Sequence, residues 1–136
     1  MTEPTTPQRH PLRFGYFLVP NADDPLIDIA IRVEQLGLDY RGVPDHPYQR
    51  RYVDTWTLLS FIAARTTTLR VFTDVANLPL RPPAVMAKAA ATISRLSGGR
   101  FDLGLGAGAF WDAIAAYGGH RRTPGQSSTH SVKRSP

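Results

Sequence analysis

The sequence predicts an α/β fold built on a parallel sheet. Strand-like and helix-like stretches alternate along the chain. The strand starts near Leu12, Tyr40, Leu69 and Arg100 recur about every thirty residues, the length of a βαβ unit. Units of that length wind right-handed into one of two architectures, a doubly wound sheet or a (β/α)8 barrel.

Each element has its own reason. Leu12–Val19 (LRFGYFLV) is rich in aromatic and β-branched residues and reads as the first strand. After the PNADDP loop, Pro25 suits the first turn of a helix. Leu26, Ala30, Val33 and Leu36 then fall on one helical face, and Gly37 stops it. A short second strand ends near Val43, and PYQRRYV follows as a polar loop. Asp54 is a suitable N-cap for the helix TWTLLSFIAART, and Leu69–Asn77 is the third strand. The prolines of LPLRP hold that segment off helix. Pro83 opens an alanine-rich helix with a Gly98-Gly99 stop, Arg100–Gly106 is the fourth strand, and AFWDAIAAY is a short helix closed by Gly118-Gly119.

Composition narrows the function. The chain has 136 residues and 42% hydrophobic content, enough for one domain with a core. With no cysteine, a disulfide framework, a thiolate metal site and a cysteine nucleophile are excluded. No apolar run approaches the roughly 20 residues of a membrane helix, and MTEPTTPQRHP has no signal-peptide character, so the cytoplasm is the default location. The net charge of +5 comes partly from the C-terminal end, where no acidic residue follows Asp112. The remaining arginines are scattered, which argues against a nucleic-acid groove.

The stretch GRFDLGLGAGA (Gly99–Ala109) formally satisfies the G-x-G-x-x-[GA] dinucleotide pattern. It sits in the fourth βα unit, however, and no acid stands about 20 residues on to meet a ribose. The alternative is a barrel rim, because barrel sites lie at the C-terminal ends of the strands. The strand ends collect Asn21, Asp45, His46, Asp74, Val75, Ala76, Asn77, Gly106, Ala107 and Gly108. A flat aromatic ligand suits such a small-residue rim. Trp56, Phe61, Phe110 and Trp111 read as helix-packing residues, and Arg81 as a residue that holds its loop.

GVPDH after the second strand, Asp74–Gly119 as an ordered block, and RRTPG together resemble the luciferase-like monooxygenase family, within it the branch that uses the deazaflavin coenzyme F-420. The resemblance implies a TIM (β/α)8 barrel, truncated here to about the first four βα units. It implies coenzyme F-420, with FMN as the alternative, lying across the rim on Asp74, Val75, Ala76, Asn77, Gly106, Ala107 and Gly108. It also implies a non-prolyl cis peptide at Asp74-Val75, in a bulge that backs the ring. His46 matches an active-site histidine of F-420 members, and its imidazole exchanges a proton near neutral pH. Asp45 orients His46 or an incoming group, or caps the following turn. The family's sugar-phosphate dehydrogenases place a glutamate general acid where this chain has Ala109.

The expected organisation is a flexible arm at 1–11, the N-terminal half of a luciferase-like barrel at 12–125, and a disordered tail at 126–136. A barrel of this type needs about 250 residues. The expectation is therefore an oxidoreductase acting on a small molecule, in a truncated form with reduced or no activity that two copies complete as a homodimer. A non-catalytic, partner-dependent remnant and a dinucleotide-binding module are the alternatives.

Overall fold

The computed structural model describes residues 12–123 and 125–126; the arm at 1–11 and the tail beyond Gln126 lie outside the described residues. The elements run β1 (Gly15–Phe17), α1 (Leu26–Gln35), β2 (Tyr40–Val43), α2 (Thr55–Arg65), β3 (Arg70–Asn77), α3 (Pro83–Leu96), β4 (Phe101–Gly106) and α4 (Trp111–Ala116). The helix starts follow the local chemistry. Pro25 is the N-cap of α1, the Asp54 side chain accepts from the Thr57 N–H at 2.9 Å, and Pro83 is the first residue of α3. At the end of α3, Gly98 and Gly99 take φ of +69° and +83°, a region other residues avoid. Two expectations are corrected. The first strand is shorter than Leu12–Val19, and Leu78–Leu80 forms a 3₁₀ turn where a loop was expected.

All four strands are parallel, and their order in the sheet is β1-β2-β3-β4. That sequential order decides between the two architectures. A doubly wound sheet reverses its winding at a switch point, whereas a barrel adds each strand beside the last. The helices pack in the same sense, α1 on α2 and α2 on α3. The core lies between strands and helices, where Leu18, Val43, Val71 and Phe101 meet Ala30, Val33, Leu59, Ile62, Met86 and Ile93. The alternate residues form the other face. There Tyr40 meets Phe72 edge-on at 6.1 Å, and Arg70 pairs with Asp102 at 2.7 Å.

The β3–β4 ladder shifts register between Thr73 and Ala76 at a bulge whose Asp74-Val75 peptide is cis. The Thr73 hydroxyl spans the shift, donating to the Gly104 carbonyl at 2.8 Å and accepting from the Gly104 N–H at 3.0 Å. The glycines of GRFDLGLGAGA serve this bulge. A Cβ on Gly104 would run into the Thr73 carbonyl oxygen, and one on Gly106 would run into the Val75 side chain. Elsewhere arginines brace the scaffold. Arg100 donates to the carbonyls of Ala63, Thr66, Leu69 and Ser97, tying the end of α2 to the start of β3.

Candidate functional site

The C-terminal ends of β2, β3 and β4 converge on a cavity of about 240 Å³. Its walls include Asp45, His46, Val75, Ala76, Asn77, Gly106, Ala107 and Gly108, so the sequence-predicted residues are brought together with the exceptions of Asp74 and Asn21, which instead bridges to Tyr52. Asp74 instead stands on the sheet face beside Gly42, so close that a Cβ on that glycine would lie 3.1 Å from its carboxylate.

Asp45 anchors the site from below. It is 1% exposed, and its carboxylate accepts four hydrogen bonds. Arg81 grips it through Nε at 2.7 Å and Nη2 at 2.8 Å, the Asn77 N–H donates at 3.0 Å, and the Trp56 indole donates at 3.3 Å. Arg81 also reaches Asp54 at 2.8 Å and lies over the Trp56 ring. Burial alone would lower the Arg81 pKa, but the two carboxylates hold it above the ordinary guanidinium value. Burial likewise pushes Asp54 upward, and hydrogen bonds from Arg81 and Thr57 outweigh it, so Asp54 stays below the usual carboxylate range. This network fixes the ends of β2 and β3 against each other. The expected hold of Arg81 on its loop is present, and its partner is the neighbour of His46.

His46 is half-buried at the cavity wall, with Nδ1 2.7 Å from the Tyr48 hydroxyl. The carboxylate of Asp45 makes no hydrogen bond to it. Phe110 stands edge-on to His46 at 5.5 Å and to Tyr48 at 6.1 Å. Two aromatic expectations are therefore corrected. Phe110 is 59% exposed and lines the cavity, because α4 begins only at Trp111 and leaves Phe110 at its cap. Phe61 is 61% exposed on α2, outside the core. Tyr48 is a site residue that the sequence reading missed. An aromatic two positions after a rim histidine, inside a polar loop, is the signal that marks it.

Asn77, which lines the cavity, carries a polar atom with no partner among the described residues. The Asn77 side chain is buried, and its Oδ1 accepts no hydrogen bond. A buried acceptor with nothing to accept from is costly. The wall is built of Val75 and Ala76 beside the Gly106–Gly108 segment, with His46 and Phe110 also lining it, and a planar ring suits so small-sided a surface. Among the described residues no group of three or more His, Asp or Glu could hold a metal ion. No helix among them is long and apolar enough to cross a membrane.

Four βα units added side by side, with a cavity at the strand ends, define the class as a barrel-type α/β protein. Residues 10–129 match the family of luciferase-like monooxygenases, and the chain belongs to that family. It is 35% identical over 98 residues to a 5,10-methylenetetrahydromethanopterin reductase of Archaeoglobus fulgidus, covering 71% of this chain and 29% of the relative. It is 38% identical over 99 residues to an F420-dependent glucose-6-phosphate dehydrogenase of Amycolatopsis mediterranei, covering 68% and 30%. Among solved structures it matches an F420-dependent secondary alcohol dehydrogenase bound to an F420-acetone adduct, with TM-score 0.78 and 23% identity over 90% of this chain and 39% of that one. It also matches the FMN-bound oxygenating constituent of 3,6-diketocamphane monooxygenase from Pseudomonas putida, with TM-score 0.76 and 21% identity over 90% and 36%. The chain spans less than a third of the length of these two curated relatives.

Proposed function

We propose that the rim cavity holds the ring of coenzyme F-420, with FMN as the alternative, in an oxidoreductase acting on a small molecule. The observation that carries the reading is the cavity at the strand ends, where Val75, Ala76, Asn77 and the Gly106–Gly108 segment meet His46. Relatives that use F-420 by name support the deazaflavin over FMN. Such a ring, when bound, supplies hydride transfer or oxygen activation. Asn77 accepts from its N–H edge, Val75 backs it, and the glycine-alanine segment lets it lie close. His46 faces the substrate and holds or moves a proton at its imidazole. Asp45 acts as a positioning residue, since its carboxylate is spent on Arg81, Trp56 and the Asn77 N–H. Asp74 contributes through the backbone of the bulge. Ala109 lines the cavity where a sugar-phosphate dehydrogenase would carry its acid, so the substrate is of another class.

The 136-residue chain taken alone is a half-site in this reading, with weak cofactor affinity and reduced or no turnover. Among the described residues β1 and β4 each have one neighbour in the sheet, and Phe17, Leu103 and Leu105 stand exposed along them. Two copies joined β4 to β1 complete eight parallel strands. A titration with F-420, FMN and NAD, followed by fluorescence, tests the cofactor. Saturable F-420 binding that Asn77→Ala weakens supports the reading; NAD binding with no flavin or deazaflavin uptake overturns it. Light scattering on the same sample tests the pairing, which a stable monomer with micromolar F-420 affinity would refute.

A further inference from the structure

We propose that Tyr48 sets the tautomer of His46, donating its hydroxyl proton to Nδ1 so that neutral His46 presents Nε2–H to the cavity. This deepens the functional reading above and rests on it, because it gives His46 a defined polarity toward the substrate.

The geometry is specific. The Tyr48 oxygen lies 2.7 Å from Nδ1, a short contact between two residues with a single proline between them in the loop after β2. The rings sit 5.4 Å apart, tilted by 43°, and Phe110 closes edge-on over both. Tyr117, at the end of α4, adds a further edge contact to Tyr48 at 6.3 Å. These edge contacts gather the two rings into one aromatic cluster at the cavity wall.

A phenol and a neutral imidazole can share one hydrogen bond in two senses. In one, the phenol donates and Nδ1 accepts, which puts the ring proton on Nε2. In the other, Nδ1–H donates and the phenol proton must find a second acceptor. The described residues offer Tyr48 no such acceptor. The nearest anion, Asp45, has its oxygens engaged by Arg81, Trp56 and the Asn77 N–H. Burial, and after it the charge of Asp45, pushes the Tyr48 pKa above that of a free phenol, so the hydroxyl keeps the proton it donates. The other groups packed against the pair, Phe110 and Tyr117, are aromatic rings.

The consequence concerns substrate class. A neutral imidazole with Nε2–H toward the cavity is a hydrogen-bond donor, and neutral histidine in that role polarises a carbonyl. The site therefore favours a substrate whose reacting carbon bears an oxygen acceptor, a ketone, an aldehyde or the corresponding alkoxide, over an amine.

The test reads the tautomer directly in the full chain. Long-range proton–nitrogen NMR correlation at about pH 8, above the ordinary imidazole pKa, distinguishes the two tautomers on nitrogen-15-labelled protein. His46→Gln assigns the signal among the four histidines. The expected result is a dominant Nε2–H form in the wild type and loss of that preference in Tyr48→Phe. A dominant Nδ1–H form in the wild type overturns the inference even if the variant fails to fold. So does an unchanged His46 pattern in a folded Tyr48→Phe protein. Failure of cofactor binding with the tautomer intact would remove the functional reading and leave the tautomer assignment standing.

Discussion

Arg81 closes on Asp45 with two parallel hydrogen bonds of 2.7 and 2.8 Å, and Asp45 is 1% exposed. A single carboxylate thus joins the loop before α3 to the end of β2 and, through the Asn77 N–H, to the end of β3. Removing it leaves the half-buried Arg81 guanidinium with Asp54 as its one carboxylate, and an indole N–H and a backbone N–H without an acceptor. Asp45→Ala is expected to cost about 3–5 kcal/mol, read as a lower denaturation midpoint in urea. Asp45→Asn, which keeps the shape and one oxygen acceptor, is expected to cost less.

Glu34 presents one carboxylate oxygen to three consecutive backbone N–H groups, those of Thr67, Thr68 and Leu69, at 2.7, 2.6 and 2.9 Å. Burial would raise its pKa, but these bonds hold it below the usual carboxylate range. A carboxylate with a lowered folded pKa stabilises the fold above its unfolded pKa, and that contribution is lost as pH falls through the folded value. Glu34 and Asp54 are therefore expected to make the chain acid-labile below about pH 4. Glu34→Gln is expected to flatten that dependence. Glu34→Ala is expected to cost about 1–3 kcal/mol at neutral pH. Circular dichroism melts between acid and neutral pH check both.

A Cβ at Gly106 would enter the Val75 side chain. Gly106→Ala is expected to displace the bulge and destabilise the chain by about 1–3 kcal/mol. Trimming the other partner, in the double variant Gly106→Ala with Val75→Ala, is expected to recover part of the loss. Thermal denaturation of the two variants and the wild type measures the coupling.

Arg41 of β2 is fully buried, and none of its three guanidinium nitrogens has a hydrogen-bond partner among the described residues. Its guanidinium carbon lies 4.7 Å from the centre of the Tyr16 ring, a favourable contact. Burial lowers its pKa to about 10. An unpaired buried cation is costly, so Arg41→Met is expected to stabilise the chain by on the order of 1 kcal/mol. Equilibrium unfolding in guanidinium chloride checks the sign.

For the proposed reaction, His46→Ala is expected to leave F-420 binding in place and to lower whatever turnover the chain or its paired form shows by about 10²–10⁴. Binding and steady-state rates measured on one preparation separate the two effects.

The helices were legible because each begins on a local signal. Pro25, Asp54 and Pro83 act within one turn of their own position. The order of strands was legible as two options, and only the side-by-side addition of β1 to β4 selected the barrel. Leu78–Leu80 was misread because proline forbids the α-helical hydrogen bond while tolerating a tighter 3₁₀ turn. The site residues on single strand ends were legible from position. What joins them was not. Asp45 and Arg81 stand 36 residues apart, and Phe110 meets Tyr48 across still more chain. Such pairings exist only once the rim is assembled, and no local pattern encodes them.

The interlock of Val75 with Gly106 constrains how the sequence can drift. A larger residue at 106 is tolerated only after a smaller one at 75, and the opposite order of change passes through a clashing intermediate. At Gly104 the obstacle is the Thr73 carbonyl oxygen, which no change of side chain removes. Position 106 should therefore leave glycine only in descendants of this chain that have already trimmed position 75, while 104 stays fixed.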